Sequence, residues 1–319
     1  MRFALMTEPQ QGMSYADQVA IARRAEAAGF ETFFRSDHYG SFPGPAGRPT
    51  TDAWTVLAGL ARDTERIQLG VLVSPVTFRL PGVLAKIATT VDEMSGGRLE
   101  FGLGAGWHED EHRRHGIPFP PIEQRAEMLE EQLQILHGLW EGGDGWSFRG
   151  RHYQVEEARF APRPIGGTGP GRPRLIVGGE GSPRSMRIAA RFADEFNITS
   201  SEPARVAERF ARLDEACRAI GREPDSIRRS AMVGVLVGAD EAEVAARVQA
   251  LLELIGSDAN AEEWIAQRRR RWIFGTPDEA RAAIRRYADA GCERLMLQDM
   301  LPWDLEMVDL LGREVVGRV

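Results

Sequence analysis

The chain has 319 residues, 43% hydrophobic and 27% charged, which is ordinary globular composition. Its net charge of −7 argues against nucleic acid or an anionic membrane as the main partner, and no apolar run approaches the roughly 20 residues that span a bilayer. Of 40 basic side chains only Lys86 is a lysine. That rules out a Gly-Lys-Ser/Thr phosphate loop and leaves Schiff-base chemistry nothing but a residue set in an ordinary helical pattern.

Taken from the N-terminus, MRFALMTEPQ has neither a long apolar core nor a small-residue cleavage site, so no signal peptide is read and a cytoplasmic protein is expected. Apolar runs that predict strands fall at 2–7, 31–35, 67–73, 98–103, 174–178, 194–198, 229–237 and 293–298. Helical patterns lie between them, at 16–28, 51–62, 81–94, 124–140, 203–220 and 277–290. Two helix ends are nearly the same: Ala27-Ala28-Gly29-Phe30-Glu31 and Asp289-Ala290-Gly291-Cys292-Glu293, each with a glycine suited to the left-handed C′ position before a strand. Eight such units predict an α/β fold, a (β/α)8 TIM-type barrel in one domain over 1–319, with a doubly wound sheet as the alternative. Cys217 and Cys292 lack metal spacing and read as free thiols.

Barrel chemistry sits where strands end and helices begin, so the long segments 36–50, 104–122 and 141–173 matter most, and 255–275 carries little weight as a site. Two short β-like pieces are expected at 146–149 and 152–155, and the arginine run 268–271 reads as a solvated surface or lid. After the second strand, Ser36-Asp37-His38 sets an imidazole beside a carboxylate, a pairing suited to acid/base work. After the third, Ser74 and Thr77 offer small hydroxyls, although a proline-ended strand explains the segment without a ligand. Gly102, Gly104 and Gly106 alternate after the fourth strand and admit a close backbone approach, in a spacing that is not the dinucleotide fingerprint G-x-G-x-x-G.

The next stretch, His108-Glu109-Asp110-Glu111-His112, matches the zinc pattern H-E-x-x-H, with His115 as a third nitrogen. Its dense charge reads instead as a solvated helix face, and no metal is expected. Farther on, Gly178-Gly179-Glu180-Gly181-Ser182 forms a glycine-rich turn into a helix, an anion site in the making, where Ser182 also serves as an N-cap.

In their order and spacing these segments resemble the luciferase-like monooxygenase superfamily, and within it the branch that uses the deazaflavin coenzyme F420. The similarity covers nearly the whole chain and is strongest from Leu69 to Pro120. Gly178-Gly179-Glu180-Gly181, Ala193-Asp194-Glu195-Phe196-Asn197 and Gly275-Thr276-Pro277-Asp278-Glu279-Ala280 continue it. The resemblance implies a flavin-like ring at the strand C-termini with Asp37 and His38 beside it, and a non-proline cis peptide at Leu72–Val73 behind it. Ser74, Thr77, Gly104, Ala105, Gly106 and Trp107 would meet the ring and ribityl chain. Gly178, Gly179, Gly181 and Ser182 would hold the phosphate.

The implied activity is hydride transfer between F420 and an organic substrate, His38 exchanging the proton while Asp37 contacts the ring or sets its tautomer. The same fold with FMN, using reduced flavin and O2 as a monooxygenase, is the alternative. A zinc hydrolase and a cofactor-binding protein without turnover are the readings from other classes. Trp107 stands where the deazaflavin-dependent sugar-phosphate dehydrogenases carry a glutamate, which speaks against that substrate and for an apolar wall. A homodimer is implied by the resemblance alone.

Overall fold

The computed structural model describes residues 1–319. Its strands and helices are β1 (Arg2–Thr7), α1 (Tyr15–Ala27), β2 (Thr32–Arg35), α2 (Ala53–Asp63), β3 (Gln68–Pro75), α3 (Pro81–Ser95) and β4 (Leu99–Gly104). Next come α4 (Glu109–Arg114), α5 (Ile122–Glu141), a hairpin of β5 (Trp146–Arg149) and β6 (Gln154–Ala158), then β7 (Arg174–Gly179), α6 (Pro183–Phe192) and β8 (Glu195–Thr199). The chain ends with α7 (Pro203–Ala219), β9 (Arg228–Val237), α8 (Glu241–Ile255), α9 (Ala261–Arg268), β10 (Ile273–Gly275), α10 (Pro277–Asp289), β11 (Arg294–Asp299) and α11 (Leu305–Glu314).

Eight strands pair in parallel around a ring, β11-β1-β2-β3-β4-β7-β8-β9, and β9 returns to β11 to close it. These are the eight expected from sequence, each within two residues. Alternation along a strand explains the closure. In β1, Phe3 and Leu5 face the helices in the main core, while Ala4 and Met6 face the barrel axis with Phe34, Leu72, Ile176 and Met296. Gly29 and Gly291 take positive φ (85° and 89°), stopping α1 and α10 so that β2 and β11 begin a few residues later.

The N-terminal end of the barrel is closed by charge. Buried Arg294 donates to Glu100 at 2.9 and 2.5 Å and stands 3.5 Å from Glu195. Burial alone would raise Glu100, but the charge and hydrogen bonds of Arg294 hold it below its usual value. Burial pushes Glu195 the other way. The apolar layer above this plug opens toward the strand C-termini.

One sequence expectation is corrected at the periphery. The second β-like piece lies at 154–158, because Glu131 on α5 accepts from the backbone N–H groups of Arg151, His152 and Tyr153 and holds them as the turn. Arg269, Arg270 and Arg271 are exposed and Arg268 is half-buried, so the arginine run 268–271 lies on the surface as expected, while the segment 255–275 that carries it is folded. It forms α9 and β10, which joins β9 and packs Trp264 and Phe274 with Leu236, Leu251 and Met300. Arg268 lies over the Trp264 ring at 4.0 Å. Lys86 on α3 reaches the Ala161 carbonyl and lies 4.2 Å from the Phe160 ring centroid, a structural tether for the 159–163 segment.

Candidate active site

The C-terminal mouth of the barrel takes its shape from a break in β3. The β3–β4 register shifts between Val71 and Ser74, and the Leu72–Val73 peptide is cis, at the position the resemblance implied. Leu72 and half-buried Val73 leave the ladder and join the apolar layer facing the mouth. Glycines make room for them. A Cβ on Gly104 would lie 2.7 Å from Val73 Cγ2, and one on Gly178 3.1 Å from Val73 Cγ1. The wall between β4 and β7 is therefore bare of side chains, with Val73 seated in it as a platform.

Asp37 and Ser74, expected beside a ligand, are both buried and bonded to neighbouring side chains. Asp37 has only 1% of its surface exposed. It accepts from Ser74 Oγ at 2.7 Å and from Arg79 at 2.5 and 3.3 Å, while Ser74 accepts from Trp54 Nε1 at 2.9 Å. Arg79 also binds Asp52 and donates to the Tyr39 hydroxyl at 2.8 Å. Burial would lower the Arg79 pKa, but the charges of Asp37 and Asp52 raise it; burial would raise Asp52, but the Thr55 N–H and Arg79 bring it down to about 2. This buried network anchors β2, α2 and the bend in β3 to one another. It is a brace.

His38 turns the other way, to a partner that sequence reasoning placed on the surface. Its Nδ1 lies 2.8 Å from Glu111 Oε1, and the second carboxylate oxygen accepts from the N–H groups of Tyr39 (2.9 Å) and Gly40 (3.2 Å). Burial alone would raise the Glu111 pKa, but these bonds and the His38 charge hold it below the ordinary glutamate value. The ionised carboxylate requires a hydrogen on Nδ1, so Nε2 faces away from it, free of protein partners. Phe42 meets the imidazole edge-on at 4.5 Å, and Trp107, 65% exposed, lies 5.9 Å away.

The helix carrying Glu111 is thus not a solvated face. Asp110 pairs outward with Arg113 and Arg114, whereas Glu111 and His112 are buried against the loops after β2 and β3. His112 Nδ1 donates to the His108 carbonyl at 2.7 Å, and its Nε2 accepts from the Thr77 hydroxyl at 2.6 Å. The nitrogen a zinc ligand would present is already bonded. His108 is lowered, chiefly by burial.

Ala105 and Gly106 follow β4 at the mouth, Gly106 with φ of 81° beside Pro75 and Thr77. Gly178 and Gly179 end β7, Gly181 has φ of 86°, and Ser182 caps α6 by accepting from the Ser185 N–H at 3.2 Å. The stem of Arg209 on α7 crosses this turn, for a Cβ on Gly181 would sit 2.9 Å from its Cγ. Glu111, Arg79 and Arg209 are the residues the sequence did not bring forward. The only trace of Glu111 was the grouping of Glu111, His112 and His115 on one side of α4 away from Asp110 and Arg113, a pattern that density of charge obscured.

A closed parallel barrel with a carboxylate-backed histidine and a bare glycine wall at its C-terminal mouth is the architecture of an enzyme. The luciferase-like monooxygenase family model matches residues 1–294, and the chain belongs to that family, as an oxidoreductase of the luciferase-like type. It is 30% identical over 290 residues to the pyrimidine monooxygenase RutA of Stutzerimonas stutzeri, covering 88% of this chain and 75% of the relative. With RutA of Pseudomonas syringae pv. syringae it is 30% identical over 268 residues, 82% and 71% of the two chains. Among solved structures, an F420-dependent secondary alcohol dehydrogenase in complex with an F420–acetone adduct superposes with a TM-score of 0.84 at 19% identity, covering 99% and 98% of the two chains. The monooxygenase RslO1 from Streptomyces bottropensis gives 0.83 at 21%, covering 99% of each. Those two likenesses show the fold. No helix is long and apolar enough to cross a membrane.

Proposed function

We propose that the protein is an F420-dependent oxidoreductase acting on an organic substrate at the barrel mouth. The observation that carries this reading is the His38–Glu111 pair: an imidazole fixed at 2.8 Å from an ionised carboxylate, its Nε2 unpartnered. The wall tests well for a flat ring, because Val73 fills the space that Cβ atoms on Gly104 and Gly178 would need and offers an apolar platform there. Leu72, Val73, Thr77, Gly104, Ala105, Gly106 and Trp107 would hold the ring and ribityl chain. Gly178, Gly179, Gly181 and Ser182 would hold the phosphate at the α6 N-terminus, with Arg209 and Arg184 as the nearby cations in a chain with one lysine.

When bound, the deazaflavin supplies a hydride donor or acceptor at its C5. His38 provides the matching proton transfer through Nε2, and Glu111 orients the ring and balances its charge as the proton moves. Phe42 and Trp107 wall the imidazole from water. Asp37 and Ser74 act through the brace that positions Val73.

Titration of the purified protein with F420 and with FMN, followed by intrinsic tryptophan fluorescence, tests the cofactor. F420 binding together with hydride transfer to or from one alcohol, ketone or aldehyde of a panel is the expected result. FMN binding without F420 binding overturns it and supports the second reading, a monooxygenase using reduced FMN and O2. That reading is favoured by the 30% identity to pyrimidine monooxygenases.

A further inference from the structure

On the side of the barrel opposite the glycine wall, a carboxylate is buried without a cation in ion-pair contact, although the Arg35 charge on β2 is within electrostatic reach. Glu8 follows β1 and is 7% exposed. Gln298 Nε2 donates to its Oε1 at 2.5 Å, and Gln10 Nε2 donates to its Oε2 at 2.8 Å. The Gln10 amide is itself oriented, since its Oε1 accepts from Ser36 Oγ at 2.6 Å. Gln298 lies two residues beyond Met296 on β11, hence on the same axis-facing side, and Met296 belongs to the apolar layer of Leu72 and Val73. Glu8 therefore sits on the inner rim of the mouth. A carboxylate removed from water is costly unless charge or hydrogen bonds compensate it, and two neutral amides fill only about half of its four acceptor positions. Beside it in the same turn, Gln11 is 2% exposed with neither amide atom hydrogen-bonded.

The ring of strands decides what this carboxylate faces. From β1 to β7, and from β11 to β4, is four steps around eight strands, so Glu8 and Gln298 look across the axis at the wall proposed for the cofactor. His38, after β2, lies between the two walls.

We infer that Glu8 is a further substrate-binding residue, held by Gln10 and Gln298 to accept a hydrogen bond from an N–H or O–H group of the organic substrate as it lies between the glycine wall and β1. The inference rests on the proposed placement of the cofactor. An alcohol, a lactam or an imide has the required donor, and an ether or an N-alkylated amide does not.

Melting curves of the full-length protein, loaded with whichever of F420 or FMN binds it, test this with matched probes. The pairs are cyclohexanol and methoxycyclohexane, 2-pyrrolidinone and N-methyl-2-pyrrolidinone, and uracil and 1,3-dimethyluracil. At least one donor compound is expected to raise the Tm of the wild type while its alkylated counterpart does not. Glu8→Gln and Glu8→Ala, shown folded by circular dichroism, are expected to lose that shift. An unresponsive wild type, an equal response to the alkylated compound, or an undiminished response in both variants overturns the inference. Cofactor affinity is expected to be the same in Glu8→Gln as in the wild type, and a loss of about tenfold or more would assign Glu8 to the cofactor instead. If neither cofactor binds the wild type, the cofactor reading has failed, and the same melts on the apo protein still decide the role of Glu8.

Discussion

Replacing Glu111 with glutamine probes the acid/base pair with almost no change of shape. The carboxylate now accepts from three donors, His38 Nδ1 and the backbone N–H groups of Tyr39 and Gly40. A glutamine carbonyl can serve the two backbone groups, which turns its NH2 toward His38 and forces Nδ1 to become an acceptor. The proton then sits on Nε2, the tautomer is inverted, and the charge that balanced a protonated ring is gone. Loss of the charge-assisted bond should cost about 1–2 kcal/mol of stability, and turnover should fall by roughly 10²–10⁴. Long-range 1H–15N spectra of the imidazoles report the tautomer directly, and kcat with F420 reports the chemistry. Acid melts give an independent sign: Glu111 is held below its usual pKa, so the folded state binds fewer protons than the unfolded one. Its contribution is complete at neutral pH and fades as pH falls through the folded value, a dependence that Glu111→Gln should lose. Wild-type turnover with an unchanged His38 spectrum would refute the assignment.

Four further outcomes follow from the same geometry. His38→Asn should lower kcat by about 10²–10⁴ while leaving the cofactor Kd unchanged; equal losses in both would make His38 a binding residue. Gly104→Ala sets a Cβ 2.7 Å from Val73 Cγ2, so Val73 must shift, at about 1–3 kcal/mol, and cofactor titration should show weakened binding. Arg294→Met strands Glu100 and Glu195 in the barrel floor, and urea unfolding should register a loss of about 3–5 kcal/mol. Asp299, on β11, is raised to about 7, chiefly by burial. Its folded pKa lies above the unfolded one, so stability declines as pH rises from about 4 to 7; Asp299→Asn should melt higher than the wild type at pH 8 and alike near pH 4.

The Asp37–His38 pairing shows how far adjacency in sequence can be trusted. Successive residues past a strand end point to opposite sides, so Asp37 turns to Arg79 and Ser74 while His38 turns to the mouth. Spacing placed both just after β2 and could not say that their side chains would turn apart. The H-E-x-x-H segment erred in the other direction. Its charge density reads as solvation only if the helix lies outside the barrel, and here one side of it is buried against two loops.

Local chemistry sufficed for the barrel: the apolar strands, the glycines that stop helices in the left-handed region, and the alternation that sends Ala4 and Met6 inward are properties of short stretches of chain. The absence of lysine from all but one position likewise settled which chemistries were out of reach. Only the closed structure decided the pairings across loops, because they depend on where β3 breaks its register and on which side of α4 faces the mouth. Glu111 meets His38 from 73 residues away, and Glu8 meets Gln298 from 290. No local pattern encodes such a meeting; it exists once eight strands share an axis and bring the two ends of the chain side by side.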